Sequence, residues 1–383
     1  MAAYIHHIAT DVPETFYTRE IARDFMKEHV ADRDALNRIL HRVYAMSDID
    51  KRHSVIEELH AGKSGIFFDG ETNKFLSPTT GQRNDLYTRE AKKMYTRLAQ
   101  KTLDESAFDK EDITHVITVS CTGFFAPGPD YFVVKSLGLS PATRRYHIGF
   151  MGCYAAFPAL KMAETICAEQ PDAVVLIVTL ELCTIHLQHK TDMDALISAS
   201  VFADGAASAI VSAREPEANR PAFRLNGLHT MLTPEGEKDM AWTIGDSGFD
   251  MVLSTYIPDI IEANLNGLLE PLLGASFDPH QFGYWAVHPG GRAIVDKVQN
   301  SLELKDDAVA PSREVLRNYG NMSSATILFV LEKILYHYPH TGKPVLGMAF
   351  GPGLTVETGF FETVNTQPKQ TELQADTHAA TPA

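Results

Sequence analysis

Apolar residues recur at helical spacing from Thr18 to about Met46, and again from Leu86 to about Leu103 with many Lys and Arg on the outer face. These patterns predict a first long helical stretch and a second helix. The segment between them, HSVIEELHAGKSGIFFDGETNKFLSPTTGQRN, is rich in turn residues and reads as an irregular insert. Further along, DAVVLIVTL has the near-continuous β-branched content of a strand buried on both faces. Such runs alternate with helical ones, which predicts an α/β fold of parallel βαβ units. Ile197 to Ala213 reads as a turn of small residues followed by another buried strand.

One pattern occurs twice, with its copies about 167 residues apart. Ile113–Leu139 continues into Met151–Glu181, and Phe282–Leu304 is followed by Gly320–Phe350. Each copy reads as an apolar strand, a Pro-Gly turn, a helix closing on Ser-Leu-x-Leu, a second turn at a helix start, and a buried strand. Cys121 and Cys153 are 32 positions apart in the first copy; His288 and Asn321 are 33 apart in the second. The agreement predicts two related halves whose turns meet at a shared site. The polar run REPEANRP, residues 214–221, is the hinge between an N-terminal half (1–220) carrying the cysteines and a C-terminal half (221–364) carrying His288 and Asn321. Residues 365–383 contain almost no large apolar side chain, and their composition predicts a disordered tail.

Composition narrows the function. A formal charge of −15 disfavours nonspecific binding to nucleic acid or to an anionic membrane. No apolar run is long enough for a transmembrane helix, and the first residues lack the pattern of a secretory signal. Four cysteines without a paired framework fit a reduced cytoplasm. Arg38, Arg42, Lys51 and Arg52 form the one basic cluster that stands out, readable as a solvated helix end or as a local anion pocket.

Ligand sites in α/β sheets lie beyond the carboxyl ends of strands, where Cys121 and His288 fall. Cys153, in GFMGCYAAFPAL, follows two glycines and opens a helical run. Backbone N–H groups there favour a thiolate, so a nucleophile is preferred over a small buried hydrophobe. Cys167 and Cys183 read as buried hydrophobes. His288 precedes PGG, whose backbone a ligand can approach, although a lone histidine is more often structural. Asn321 stands where a helix N-cap would, or where a neutral donor would face an oxyanion. Metal binding fits poorly: there is no CxxC or HExxH, and His186 with His189 is a weak pair. The GxGxxG of a dinucleotide site is also missing.

GCYAA around Cys153, WAVHPGG around His288, YGNMSSAT around Asn321 and GMAFGPGLTVET together resemble the chalcone synthase-like type III polyketide synthases of the thiolase superfamily, over roughly residues 4 to 362. SCTGFFAPG at Cys121 resembles bacterial members. The resemblance implies a duplicated five-layer αβαβα thiolase fold and a homodimer. It also implies acyl-CoA and malonyl-CoA as substrates, with no further cofactor and no carrier protein. Cys153 would take the starter acyl group, and His288 and Asn321 would stabilise the malonyl enolate and the condensation oxyanion. Phe202 and Met251 would be gatekeepers, Arg42 a contact to coenzyme A phosphate, and Gly290 and Gly291 a backbone wall beside the pantetheine. Cys121 would line the cavity, Trp242 would lie near its floor, and Ala126 would stand where a dimer partner intrudes. The implied activity is starter loading, malonyl extension and release of a cyclised pyrone or phenol. The nearest alternative is a single-condensation β-ketoacyl-acyl-carrier-protein synthase. An acyl-CoA-binding scaffold and a thiol hydrolase are more distant alternatives.

Overall fold

The computed structural model describes residues 2–59, 63–233, 236–274 and 276–364; the expected disordered tail, 365–383, lies outside the described residues. Nine strands form one sheet: β1 (Ala3–Asp11), β2 (His115–Ser120), β3 (Arg144–Gly149), β4 (Val174–Leu182), β5 (Asp204–Ser212), β6 (Ala222–Leu232), β7 (Tyr284–Val287), β8 (Val345–Gly351) and β9 (Thr355–Val364). Their order is β7-β8-β9-β6-β1-β5-β4-β2-β3. This is one half-sheet, β1-β5-β4-β2-β3, beside a second, β6-β9-β8-β7, that repeats it without the edge strand. The pairing directions repeat as well. β1/β5 and β5/β4 are antiparallel and β4/β2 parallel; β6/β9 and β9/β8 are antiparallel and β8/β7 parallel. A short seam, Ala3–Ile5 opposite Phe223–Leu225, joins the halves.

The sheet is therefore mixed rather than built from parallel units alone. β8 and β9 are joined only through Pro352–Leu354, far too short for the crossover that a parallel pair needs.

Period-two burial sorts the strands between layers. On β4, Val175 and Ile177 face a central core, whereas Val174, Leu176, Val178 and Leu180 face an outer one. On β7, Tyr284 and Ala286 face the central core and Trp285 and Val287 a third. Helices Ala156–Glu169 and Thr326–Tyr336 fill the central core between the half-sheets, through residues such as Phe157, Leu160, Leu328 and Leu331. Thr326–Tyr336 is buried nearly all round, as a helix between two sheets must be. Thr80–Glu105 and Pro129–Leu137 cover the outer face of the first half; Ile257–Leu273 and Arg292–Ser301 cover that of the second. Helix, sheet, helix, sheet, helix is the five-layer αβαβα arrangement.

Three local readings change. The stretch from Thr18 to Met46 is two helices, Arg19–His29 and Asp34–Met46, separated by a break at residues 30–33. The second helix starts earlier than its apolar stripe, because Thr79 and Gln82 form a capping box that begins it at Thr80. The expected small-residue turn near Ile197 lies within helix Met193–Val201, whose N-terminus is capped by the Asp192 side chain accepting from Ala195 N.

Candidate active site

Each half delivers turns to one place. β3 ends at Gly149, and the chain then passes through Phe150 (φ 60°) and Gly152 (φ 84°) before helix Ala156–Glu169. A Cβ on Gly152 would lie 2.4 Å from Pro352 Cδ, so the tight turn and the approach of the second half both demand glycine. Cys153 sits in this turn, three residues ahead of the helix rather than in its first position. His288 follows β7 directly, its N–H donating to Met348 O at 2.7 Å. Asn321 is held by a backbone bridge to the Phe202 segment: Asn321 N donates to Val201 O at 2.8 Å and Ala203 N to Asn321 O at 2.9 Å. Its Oδ1 accepts from Ser323 N at 2.8 Å, and its Nδ2 donates to Gly290 O at 3.2 Å. The side chain thus serves a turn and ties it to the His288 loop, while the Asn321 backbone joins both to the Phe202 segment.

Cys153, His288 and Asn321 line one chamber of about 30 Å³, together with Cys121, Phe202, Met251 and Gly290. Among the described residues no Asp, Glu, Lys or Arg lines it. Gly291 instead stands at the N-cap of helix Arg292–Ser301 and lies outside the chamber wall. Arg42 is exposed on helix Asp34–Met46 and lines neither the chamber nor the larger cavity beside it. Of the basic cluster only Arg52 turns inward, donating to Ser200 O and Ser47 Oγ. His186 and His189 part company as well: His186 Nε2 bonds Thr122 O, and His189 Nε2 bonds His29 O.

The larger cavity, about 310 Å³, shares Cys183, Phe202, Trp242 and Met251 with the chamber. Trp242 and Met251 are cross-strand partners in the hairpin Met240–Gly245/Gly248–Leu253. Trp242 Nε1 donates to Cys121 O at 2.8 Å, fixing the indole across the boundary between the two spaces.

Electrostatics in the chamber favour neutral groups. His288 is 1% exposed, neither ring nitrogen has a hydrogen-bond partner, and burial lowers its pKa to about 3. Burial pushes the Cys153 thiol up to about 11, outweighing hydrogen bonds from Ser323 and Asn321 that pull it down. The helix start does not hold a standing thiolate against that desolvation. Cys121 is pushed well above the ordinary thiol value, by burial first and by Glu181 second.

Glu181 and Ser323 escaped the sequence reading. Glu181 is fully buried, with its own pKa raised by burial. It accepts from Cys121 N at 3.0 Å, Cys121 Sγ at 3.2 Å, Thr122 Oγ1 at 2.9 Å and Ser324 Oγ at 2.5 Å. It therefore holds the Cys121 turn against the Ser323 turn of the other half. The signal was a lone acid in a strand whose every position is buried. Ser323 Oγ lies 3.4 Å from Cys121 Sγ and also contacts the Cys153 thiol.

Comparison with known proteins matches this architecture along its length. The model of the N-terminal domain of chalcone and stilbene synthases matches residues 2–216, and that of their C-terminal domain matches residues 225–365. PKS-I from the brown alga Ectocarpus siliculosus superposes with a TM-score of 0.85 at 27% identity, covering 95% of this chain and 98% of that one. The 1,3,6,8-tetrahydroxynaphthalene synthase of Streptomyces coelicolor A3(2), a bacterial type III polyketide synthase, gives 0.82 at 28% identity, covering 94% and 99%. The C-terminal type III polyketide synthase domain of Steely1 from Dictyostelium shares the fold, with a TM-score of 0.87 at 24% identity over 95% and 100% of the chains. Two family models spanning nearly all the described residues, on a thiolase fold shared with such enzymes, show that this chain belongs to the chalcone and stilbene synthase family and is a malonyl-CoA-dependent acyltransferase of the type III polyketide synthase class.

Proposed function

We propose that Cys153 takes an acyl group from an acyl-CoA starter, that the acyl-enzyme is extended by decarboxylative Claisen condensation with malonyl-CoA, and that the product leaves as a cyclised pyrone or phenol. The observation that carries this reading is the convergence of Cys153, His288 and Asn321, from both halves, on one chamber without charged walls.

In the loading step the neutral imidazole of His288, with both nitrogens uncommitted, takes the thiol proton as sulfur attacks the thioester carbonyl. The C–S bond to coenzyme A breaks, and the departing thiolate recovers that proton. A thioester replaces a thioester, so the exchange is close to balanced. In the extension step His288 N–H and Asn321 Nδ2–H point at the malonyl thioester carbonyl. Carbon dioxide leaves, the electron pair enters the enolate, and the two donors stabilise its oxygen where water does not compete. The enolate carbon then attacks the acyl carbonyl and releases the Cys153 sulfur. Thioester chemistry of this kind runs without a further cofactor.

Phe202 and Met251, at the boundary of chamber and cavity, act in this reading as gatekeepers. Cys121 is a wall residue, Gly290 and Gly291 flank the pantetheine, and exposed Arg42 meets a coenzyme A phosphate. A homodimer would form along β3, the sheet edge, where Tyr146 is 39% exposed and Ala126 is exposed nearby. Carrier protein is not required, and a cytoplasmic location suits four free cysteines. No helix among the described residues is long and apolar enough to cross a membrane.

The test is mass spectrometry of the protein and of Cys153→Ala with acyl-CoA starters and malonyl-CoA. Multiply extended products from the wild type alone support the proposal. An acyl-enzyme extended once, and only with an acyl carrier protein, points to the single-condensation alternative.

A further inference from the structure

The outward face of helix Asp34–Met46 is open to solvent and carries positive charge in an acidic chain. We propose that it is the docking face for an acidic carrier protein, whose phosphopantetheine arm brings an acyl thioester to Cys153 as a second route of starter delivery beside coenzyme A. The inference rests on acylation of Cys153, and malonyl-CoA still supplies the extender.

Leu36, Leu40 and Tyr44 turn one side of the helix into a core cluster. The opposite side exposes Ala35, Arg38, Ile39, Arg42, Ala45 and Met46. Ile39 is 37% exposed and Met46 57%, two large apolar side chains left in water. Arg38 and Arg42 have no ion pair or side-chain hydrogen bond among the described residues. The acids nearby are occupied elsewhere: Asp24 pairs with Arg23 at 2.8 Å, Asp32 with Arg33 at 3.8 Å, Asp48 with Arg317 at 3.8 Å and Asp50 with Arg19 at 2.5 Å. Asp34 stands in the first turn, where it complements the positive end of its own helix. The strip therefore keeps its positive charge although the chain carries −15.

The strip leads to the catalytic chamber. Three residues past Met46, Ile49 packs with Val201, Phe202 and Leu253, and the last two are half-buried residues of the chamber wall. A carrier arm and coenzyme A both bear a phosphate ahead of the pantetheine, so a contact at Arg42 serves either donor. Arg38 lies one turn farther out, about 6 Å along the axis. A nucleotide has no use for exposed Ile39 and Met46. An amphipathic acidic helix does: the two are seven positions apart, the spacing at which one helix lays apolar side chains against another with charges alongside. The rest of this acidic surface repels such a partner, so the strip sets its orientation as well as its affinity. Two apolar side chains on a chain of −15 make a poor anchor for an anionic bilayer. Once docked, the chemistry is that of loading from coenzyme A. Cys153 sulfur attacks the carbonyl of the arm's thioester, the C–S bond to the arm breaks, and the departing thiolate takes the thiol proton by way of His288.

The experiment measures single-turnover acylation of Cys153 in the full chain by intact mass, with hexanoyl-carrier protein, hexanoyl-CoA and hexanoyl-pantetheine as donors. The probe is a stand-alone acidic acyl carrier protein of the fatty acid synthase type. Its second-order rate constant should exceed that of hexanoyl-pantetheine at least about tenfold, the low end of what electrostatic steering supplies. Ile39→Asp and Arg38→Glu should each slow the carrier reaction at least about tenfold and the coenzyme A reaction less than about threefold. The retained coenzyme A rate shows that the variants fold. A carrier protein no faster than pantetheine overturns the docking face. Equal losses with both donors also overturn it, by making the strip a nucleotide subsite. So does binding to phosphatidylglycerol vesicles that Arg38→Glu abolishes while carrier acylation is unchanged, which would make the strip a membrane contact. In each of these cases, multiply extended products from hexanoyl-CoA and malonyl-CoA would leave the synthase reading standing. Acylation by none of the three donors would overturn both.

Discussion

Asn321→Ala separates the two half-reactions. The side chain accepts from Ser323 N at 2.8 Å, donates to Gly290 O at 3.2 Å and also bonds the Cys153 thiol, while the backbone bridge to Val201 and Ala203 is untouched by the substitution. Losing the two bonds to the backbone costs about 1 to 3 kcal/mol of stability at ~0.5 to 1.5 each, which a fold of this size tolerates. Catalysis loses more. An oxyanion donor is typically worth about 10²- to 10³-fold, or ~2.7 to 4 kcal/mol, and the enolate forms only in the malonyl step. Release of labelled carbon dioxide from malonyl-CoA should therefore fall at least 100-fold, whereas single-turnover acylation of Cys153 should fall less than about tenfold. Asn321→Asp is the control: it keeps an acceptor for Ser323 N but removes the donor, so it should match the alanine variant in decarboxylation. Equal losses in acylation and decarboxylation would refute the assigned role, as would full decarboxylation by the aspartate variant.

Three further outcomes are expected. With the Cys153 thiol raised to about 11 by burial, iodoacetamide alkylation of the free enzyme should accelerate about tenfold per pH unit between 7 and 9; a plateau by pH 7 would show a standing thiolate. Glu181 is raised by burial, so its favourable contribution is full below about 4.5 and is lost as pH climbs through its folded value; Glu181→Gln, which cannot ionise, should gain on the wild type in urea midpoint as pH rises above about 4.5, and a pH-independent difference would contradict this. Gly152→Ala must accept a φ of 84° and a Cβ 2.4 Å from Pro352 Cδ. It should cost about 2 to 5 kcal/mol in denaturant titration and disturb Cys153 acylation, and a neutral result would mean that the turn is not constrained as described.

The features legible from the sequence were local. The β-branched run DAVVLIVTL reads as a strand covered on both faces, which β4 is, and a strand-turn-helix repeat carries its turn residues with it. The ends of β2 and β7 thus put Cys121 and His288 at strand termini before any tertiary contact is known, and Gly152 marks the tight turn at Cys153. The motifs around Cys153, His288 and Asn321 also sufficed to suggest the family.

Other features depended on which distant segments cover one another. Nothing near Glu181 in sequence says that its carboxylate holds Cys121, Thr122 and Ser324, because the three donors lie about 60 to 143 positions away. The direction in which Arg52 turns, the bridge that sets Asn321 against Phe202, and the division of space by Trp242 are likewise matters of packing. The protonation states follow the same rule. A helix start argues for a thiolate at Cys153, but desolvation is a property of the surrounding protein, and in the folded chamber it prevails over the local field.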